Sequence, residues 1–311
     1  MMPAPASPLT KKNNTTLVDI FLAADIVRLY KDQLGMDVNR FFADKENIYL
    51  YNDNETGYRF YYPEGLDGDG KFYEVLQEKL GKDYYHTWKF ENQMALESIN
   101  TNDKVLDVGC GTGNFLMRIK DKTNQATGLE LNENAVNECR KKGLAVFNEM
   151  IQDHAKTHED YYDVICMFQV LEHIYDVRSF LEASLKALKK GGKLIIGVPN
   201  NEPYFLGYDK YSTLNLPPHH MGLWNKKVFM ELSKLFNLKI LDTKYDIKGK
   251  IIAEAYVRAK YLAGIKSLPG KHSIKEKIQM SLVSLLTLPV TIIKKITNRL
   301  NGSQIAVLFE K

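Results

Sequence analysis

The chain has 311 residues and a formal net charge of +4, and its three cysteines stand singly. With 44% hydrophobic and 26% charged residues it has the composition of an ordinary folded domain, which excludes a disordered or collagen-like chain. Unpaired cysteines exclude a disulfide framework and a zinc ribbon, and so mild a charge gives no reason to expect DNA binding. Without a signal-peptide pattern or a run of about 18 apolar residues, the protein is expected to be cytoplasmic.

The first third of the chain is predicted to form a module of its own. Residues 1–16 are expected to be a flexible leader, because they carry no regular hydrophobic pattern. Apolar residues at helical spacing predict a helix over 17–31. Residues 47–63 are aromatic-rich and interrupted by turn residues, which predicts a β-hairpin. This hairpin is either a small packed sheet or a lid that recognises substrate. Two more helices follow, and residues 17–95 are taken together as the N-terminal helix and β-hairpin module.

From residue 96 onward, short apolar runs alternate with helical segments. This order predicts an α/β fold with a mostly parallel sheet and helices on both faces, formed by residues 96–247 and 302–311. One helix is predicted from Val177 to Lys190, because two glycines follow it. Ligands of such sheets bind beyond the carboxyl ends of the strands.

The segment 248–301 has a different character from the predicted core. Its first 53 residues hold eleven basic and only two acidic side chains, and apolar residues recur at helical spacing toward its end. A basic amphipathic helix of this kind can lie on an anionic membrane. It can also pack as a helical insert on its own protein or on a second copy, which is the favoured interpretation. Peripheral membrane contact or dimerisation is therefore predicted through residues 270–300.

The most informative stretch joins a buried strand to a glycine turn and a helix. Gly109, Gly111 and Gly113 alternate with other residues, so that a ligand can lie against bare backbone. Asp107 precedes the turn and no lysine follows it, which favours a ligand with a cationic group over a phosphate. The alternation also differs from the dinucleotide spacing G-x-G-x-x-G.

This loop resembles the first motif of class I S-adenosylmethionine (SAM) methyltransferases. The stretches Leu171 to Val177, Lys189 to Leu194 and Val198 to Asn200 continue the resemblance in order and spacing. They are similar to the small-molecule branch, which includes the ubiquinone-pathway O-methyltransferases and sugar methyltransferases. The resemblance covers about residues 103–200.

The resemblance implies a Rossmann-like, seven-stranded sheet, SAM as cofactor, and methyl transfer to a small or sugar-like acceptor, with oxygen as the favoured atom. A methyltransferase acting on RNA or protein remains an alternative. A non-catalytic SAM-binding or scaffold protein is another.

The resemblance also implies where the cofactor lies. Glu130 follows the second strand of the core and can accept both hydroxyls of a ribose. Met150 and Ile151 are expected beside the adenine, and residues 168–170 at the amino-acid end of the cofactor. The expected cofactor-binding residues are Tyr85, Trp88, Asp107, Gly109, Cys110, Gly111, Gly113, Glu130, Leu131, Met150, Ile151, Phe168, Gln169 and Val170.

Three histidines are candidates for the catalytic base. A hydroxyl acceptor must lose its proton, and histidine suits a base near neutral pH. His219 and His220 follow two prolines in a loop that resembles the acceptor loop of relatives, and His173 follows the fourth strand of the core. A purely structural role is equally well supported for each. Some sugar methyltransferases hold zinc by cysteines in an N-terminal module; because no cysteine precedes Cys110, no metal is predicted here.

Overall fold

The computed structural model of the protein describes residues 4–81, 88–202, 211, 213–246, 274–286 and 302–311. In chain order the strands are β1 (Thr15–Leu22), β2 (Asn47–Asp53), β3 (Arg59–Tyr62), β4 (Val105–Val108), β5 (Ala126–Leu129), β6 (Ala145–Phe147), β7 (Tyr162–Phe168), β8 (Leu188–Pro199), β9 (Gly222–Leu223), β10 (Lys239–Tyr245) and β11 (Gln304–Glu310). The helices are α1 (Ala23–Leu34), α2 (Gly70–Leu80), α3 (Phe90–Ser98), α4 (Asn114–Ile119), α5 (Glu133–Lys141), α6 (Ile151–His154), α7 (Val177–Ala187), α8 (Lys226–Leu235) and α9 (Ile274–Leu286).

Seven strands form the main sheet, in the order β10-β11-β8-β7-β4-β5-β6. The strands β4 to β8 run parallel to one another, whereas β11 lies antiparallel between β8 and β10. Parallel strands covered on both faces need apolar side chains on both, which explains the continuous apolar run Val164 to Phe168 in β7. The predicted α/β fold with a mostly parallel, seven-stranded sheet is confirmed.

Helices cover both faces of the main sheet. Alternate residues of a strand point to opposite faces, and in β7 Ile165 and Met167 join the apolar cluster that contains the buried side chains of α7 and α8. Val164 and Cys166 join the cluster that contains those of α3, α4 and α5. With both faces filled, a ligand can reach the sheet only at the ends of its strands.

The N-terminal strands form a second, antiparallel sheet in the order β1-β2-β3-β9. The predicted hairpin is confirmed as β2 and β3, in which Tyr51 lies opposite Phe60. The short strand β9 pairs with β3 from a distant part of the sequence, with Gly222 opposite Phe60. Since β9 comes just after the two adjacent histidines, this sheet holds one end of the histidine loop.

The predicted helix over 17–31 is wrong in its first part. Residues 15–22 form the strand β1, paired with β2 so that Ile20 lies opposite Tyr49, and the helix α1 begins only at Ala23. The apolar stripe that indicated a helix runs across this junction. Strand pairing decides the conformation of this segment, and the β-branched threonine, valine and isoleucine residues of β1 favour a strand.

The end of α7 also differs from the prediction. This helix ends at Ala187, three residues before the predicted end at Lys190, and β8 begins at Leu188. The backbone N–H of Gly191 donates to the carbonyl of Lys311, and the ammonium of Lys189 lies 2.6 Å from the carboxylate of Asp163. Both contacts hold the segment as an extended strand start, which the local glycine signal could not show.

Within the segment 248–301 the structure describes only α9. Its apolar side chains Ile274, Ile278 and Leu282 are exposed. None of the helices in the described ranges is long and apolar enough to cross a membrane. The remaining residues of this segment lie outside the described part of the chain, so membrane contact or dimerisation through 270–300 stays a prediction, as do the domain boundaries.

Candidate functional site

A cavity of about 550 Å³ lies at the carboxyl ends of the parallel strands. This volume falls within the range of roughly 300–1,000 Å³ that is usual for small-molecule sites. Fifteen of the predicted site residues line it, and they are Trp88, Asp107, Gly109, Cys110, Gly111, Glu130, Leu131, Met150, Ile151, Phe168, Gln169, Val170, His173, His219 and His220. Gly113 does not line the cavity, and Tyr85 lies outside the described residues.

We call Asp107, Gly109, Gly111 and Glu130 the glycine wall of this cavity. The N–H of Gly109 donates to the carbonyl of Leu129 at 2.8 Å, which ties the turn after β4 to the end of β5. The backbone of Gly109 and Gly111 is left-handed, with φ of 74° and 53°, a conformation that glycine adopts without steric cost.

The carboxyl group of Asp107 is almost fully buried, with 2% of the residue exposed. Burial raises its pKa well above the ordinary value, and the nearby charge of Glu130 raises it further. A cationic ligand in the cavity would favour the ionised form. Asp107 is therefore suited to a ligand with a positively charged group, because such a ligand would stabilise its carboxylate.

Glu130 is held in place by the backbone around it. One carboxylate oxygen accepts the N–H of Gly111 at 2.9 Å, and the other accepts those of Leu131 and Asn132, both at 2.8 Å. A carboxylate has about four acceptor positions. At least one therefore remains for a hydroxyl, and the side chain needs no large movement to receive it.

Gly113 has a structural position instead. A Cβ atom built on it would lie 2.4 Å from Cδ1 of Leu144 and 2.9 Å from Sγ of Cys139. With φ at 79°, it starts α4 and lets that helix pack closely against the segment after α5. Its alternation with Gly109 and Gly111 is therefore a signal of packing as well as of ligand approach.

The end of β7 brings a strained residue into the cavity. Gln169 has φ of 56°, which is uncommon for a residue with a side chain. Its N–H donates to the carbonyl of Gly197 at 2.7 Å, and its side-chain amide lies 3.3 Å from Oε1 of Glu91. Strained backbone of this kind is often found in binding sites.

Met150 and Ile151 line the cavity where α6 begins. Their neighbour Glu149 also lines it, although it was not among the predicted site residues. The carboxylate of Glu149 lies 2.6 Å from Nδ1 of His154, whose Nε2 lies 2.7 Å from the hydroxyl of Tyr162. The buried pair of His154 and Tyr162 thus fixes an acid at the rim of the cavity. A carboxylate and an imidazole separated by only a few residues could have indicated this contact.

We call Glu172, His173, His219 and His220 the histidine wall. The short 3-10 turn Leu171–His173 after β7 provides the first two, and the loop before β9 provides the others. One potential ligand nitrogen of each histidine lies within 4.8 Å of those of the other two. The rings of His219 and His220 stack with centroids 4.4 Å apart.

All three imidazoles are held in the neutral form by burial. Burial lowers the pKa of His173 to about 4 and that of His219 to about 3, and it lowers the pKa of His220 well below its ordinary value. Each Nδ1 has an oxygen partner, which is the carbonyl of His219 for His173, the carbonyl of Leu214 for His219, and Oδ1 of Asn215 for His220. The three rings are therefore fixed in orientation.

Sequence reasoning missed two buried acids in the cavity, Glu91 and Glu172. Each residue is only 1% exposed, and Oε2 of each has no hydrogen-bond partner in the described part of the chain. Burial raises the pKa of Glu172 to about 8 and also raises the pKa of Glu91. Glu172 stood within a motif that the sequence analysis quoted, but nothing in a sequence shows that an acid is buried.

Trp88 reaches the cavity beside the helix that follows the glycine turn. Its ring stacks on Phe115 with centroids 6.1 Å apart, and the guanidinium of Arg118 lies 4.6 Å from the centre of the ring. These contacts place an aromatic face next to the glycine wall. They agree with a role at the cofactor as well as with packing.

Comparison with known proteins identifies the family. Residues 81–242, more than half of the chain, match the family described as "Methyltransferase domain". The curated protein "Ubiquinone biosynthesis O-methyltransferase" of Hydrogenovibrio crunogenus is 32% identical over 143 residues, which are 43% of this chain and 58% of that protein. The protein of the same name from Pectobacterium carotovorum is 33% identical over 103 residues, which are 31% of this chain and 43% of that protein. The chain thus spans no more than 58% of the length of these two curated relatives.

Among solved structures, a SAM-dependent methyltransferase from Archaeoglobus fulgidus has a TM-score of 0.48 and 17% identity, over 77% of this chain and 100% of that chain. The family match agrees with the motif order of the sequence and with the sheet topology described above. This chain belongs to the methyltransferase-domain family.

Proposed function

We propose that the protein is an enzyme that transfers the methyl group of SAM to an oxygen atom of a small-molecule or sugar-like acceptor. The proposal rests on the observation that one cavity has two walls of different chemistry. The glycine wall suits a cationic nucleoside, and the histidine wall provides buried polar groups for a second molecule. Methyl transfer requires two ligands held close and in line, which one cavity of about 550 Å³ permits.

The residues of the glycine wall fit SAM. When bound, SAM supplies a methyl group attached to a positively charged sulfur atom. Asp107 and Glu91 are buried carboxyl groups beside this cavity, and a cation would offset the cost of their burial. Glu130 retains an acceptor position for a ribose hydroxyl, and Met150 with Ile151 offers apolar contact for the adenine.

Oxygen as the acceptor atom is supported by the relatives. Two curated relatives that share 32% and 33% identity with this chain are named O-methyltransferases. They are matched over part of their length only, so the acceptor named for them is not transferred to this protein. Both walls line one cavity, so the cofactor and the acceptor would share its volume. This also favours a small acceptor.

Calorimetry with SAM and with its demethylated product tests cofactor binding. We expect both to bind the wild type, and Glu130→Gln to bind SAM more weakly. Glu138→Gln is the matched control, because Glu138 lies on the exposed side of α5. Absence of SAM binding by the folded wild type would contradict the proposal.

A methyl-transfer screen with labelled SAM tests the reaction itself. We expect label on a hydroxyl-bearing small molecule, and not on RNA or protein. SAM binding without transfer to any acceptor would favour the alternative of a non-catalytic scaffold. Label on RNA or protein would show that the protein is a methyltransferase with a different class of acceptor.

The helix α9 is the candidate contact of the enzyme with other components. We infer from its exposed apolar residues that this segment packs on a second copy or on an anionic membrane surface. Flotation with anionic vesicles separates the two. Absence of binding removes the membrane interpretation, and the oligomeric state in solution then tests the dimer.

A further inference from the structure

The histidine wall has a second property, which methyl transfer does not require. A nitrogen of each histidine lies within 4.8 Å of one from the other two. Nitrogen ligands at about 2.1 Å from one ion are roughly 3.4 Å apart in a tetrahedral site and at most about 4.2 Å apart across the ion. Side-chain movements of about 1 Å would therefore bring all three imidazoles within these ligand distances of a single ion.

Backbone oxygens orient these rings as they do in metal sites. Nδ1 of His173 lies 2.6 Å from the carbonyl of His219, and Nδ1 of His219 lies 2.8 Å from the carbonyl of Leu214. A carbonyl only accepts, so these contacts favour the tautomer with the proton on Nδ1 and the lone pair on Nε2; for His173 the backbone of Gln169 is a second polar neighbour of the ring. Histidines that bind metals commonly donate their other N–H to a carbonyl or carboxylate in this way.

Glu172 provides an independent observation that favours a cation at this wall. It is 1% exposed, and its Oε1 lies 3.9 Å from Nε2 of His173. Its Oε2 has no hydrogen-bond partner in the described ranges. The nearby ammonium of Lys89 forms its ion pair with Glu91, with Nζ 3.9 Å from Oε1 of that residue. A buried carboxylate with an unpartnered oxygen is costly unless a cation or donor joins it.

We propose that His173, His219 and His220 bind one divalent transition-metal ion in the cavity, with the buried carboxylate of Glu172 beside them. Imidazole nitrogens favour zinc, cobalt, nickel, iron or copper, whereas magnesium and calcium prefer sites made of oxygen atoms. The absence of cysteines from the N-terminal module predicted no metal, but this site uses residues from other parts of the chain. The site stands by itself, and only its role rests on the proposed function.

The role follows from the position of the ion in the cavity. Because the histidine wall lines the same space as the glycine wall, an ion there can keep a coordination position open. That position would hold an acceptor molecule by its oxygen atom. Metal binding and the predicted use of one of these histidines as a base exclude each other at the same nitrogen, because a coordinated lone pair cannot take a proton.

Titration of the chelator-treated full-length protein with cobalt(II) tests the site. We expect one ion per chain and the visible absorption bands of a cobalt site with imidazole ligands. The double variant His219→Gln, His220→Gln should bind about 100-fold more weakly, and Glu172→Gln about 10-fold more weakly. His158→Gln is the control, because His158 stacks on His154 at a ring distance of 3.9 Å, outside the cavity lining, and it should bind like the wild type.

Three results would overturn the proposal. These are no stoichiometric binding by the wild type, equal binding by the double variant, or an intense near-ultraviolet band that shows cysteine thiolate as the ligand. SAM affinity, measured in parallel, reports that each variant is folded, because the glycine wall is unchanged. Absence of SAM binding by the wild type would contradict the proposed function, while the cobalt titration would still decide the metal site.

Discussion

The glycine wall and the histidine wall satisfy their polar groups in different ways. In the glycine wall, three backbone N–H groups close to the ends of β4 and β5 hold Glu130. In the histidine wall, three buried imidazoles pack together, and the buried Glu172 leaves one oxygen without a partner in the described chain. Backbone hydrogen bonds therefore organise the first wall, whereas the second contains a buried carboxylate oxygen that no described residue satisfies.

The two walls also differ in how far apart their residues lie in the sequence. The glycine wall spans residues 107–130, and adjacent parallel strands place it. The histidine wall joins residues 172–173 to residues 219–220, and its loop is anchored through β9 to the N-terminal sheet. The two walls are therefore held by different sheets.

Replacement of Trp224 should have the largest effect on stability, because this residue joins the N-terminal module to the core. It is fully buried, bridges to Asn200, and packs on Tyr58 of the N-terminal module and on Phe229 of α8. Trp224→Ala should lower the free energy of unfolding by about 3–5 kcal/mol, measured by urea denaturation. Met230→Ala on the exposed side of α8 is the control. A loss no greater than that of the control would show that Trp224 does not couple the two regions.

Glu130→Gln should weaken the glycine wall and leave the histidine wall intact. Hydrogen bonds to a charged group contribute about 1.5–3 kcal/mol, so the SAM dissociation constant should rise roughly 10- to 150-fold. Calorimetry with SAM measures this change. Cobalt binding to the same variant should stay at the wild-type value. A variant that loses both ligands together would show that the walls are not independent.

Gly113→Ala separates packing from cofactor contact within the glycine turn. The new Cβ would lie 2.4 Å from Leu144 at a left-handed residue, and overpacking of this kind costs about 1–3 kcal/mol of stability. The melting temperature should fall, while SAM affinity at low temperature, where the variant is folded, should change little. A large loss of affinity with unchanged stability would instead support Gly113 as a cofactor residue.

Asp69→Asn should have the smallest effect, although Asp69 also lines the cavity. Its carboxylate pairs with Arg40, with Nη2 and Oδ1 2.6 Å apart, but both side chains are about half exposed. The pair is therefore worth less than about 1 kcal/mol, and asparagine can still cap α2. Denaturation at neutral pH should show a loss within this limit. A larger loss would mean that Asp69 has a further partner in the folded protein.

The same pair sets a pH dependence. The hydrogen bond from Arg40, the largest cause, lowers the pKa of Asp69 from 3.8 to about 2. The unfolded chain then binds more protons between these values, so the contribution is present above pH 3.8 and is lost as the pH falls toward 2. Unfolding curves of the wild type should show this loss, and those of Asp69→Asn should lack it.

Local sequence patterns were sufficient to predict the main sheet and the glycine turn, and together with the family resemblance they identified fifteen residues of the cavity lining. Buried parallel strands need continuous apolar runs, and their carboxyl ends place the following residues side by side. Asp107 and Gly109 were identified from the turn between a strand and a helix, and Glu130 from the family resemblance.

Local patterns failed where the pairing partner is distant in the sequence. The strand β1 pairs with residues 47–53, and this pairing overrides the helical spacing of its apolar residues. The start of β8 is held by Lys311, whose carbonyl accepts the N–H of Gly191. Neither partner is visible in the segment that it controls, so the predicted helices extended into both strands.

The sequence identifies the three histidines as candidates, but only the tertiary structure brings them together. His173 and His219 are 46 residues apart in the sequence, and Nδ1 of His173 lies against the carbonyl of His219 in the loop that leads into β9. The burial of Glu91 and Glu172 likewise belongs to the assembled protein. Burial is a property of packed surfaces and not of single residues, so a sequence can show that an acid is present but not that it lacks a partner.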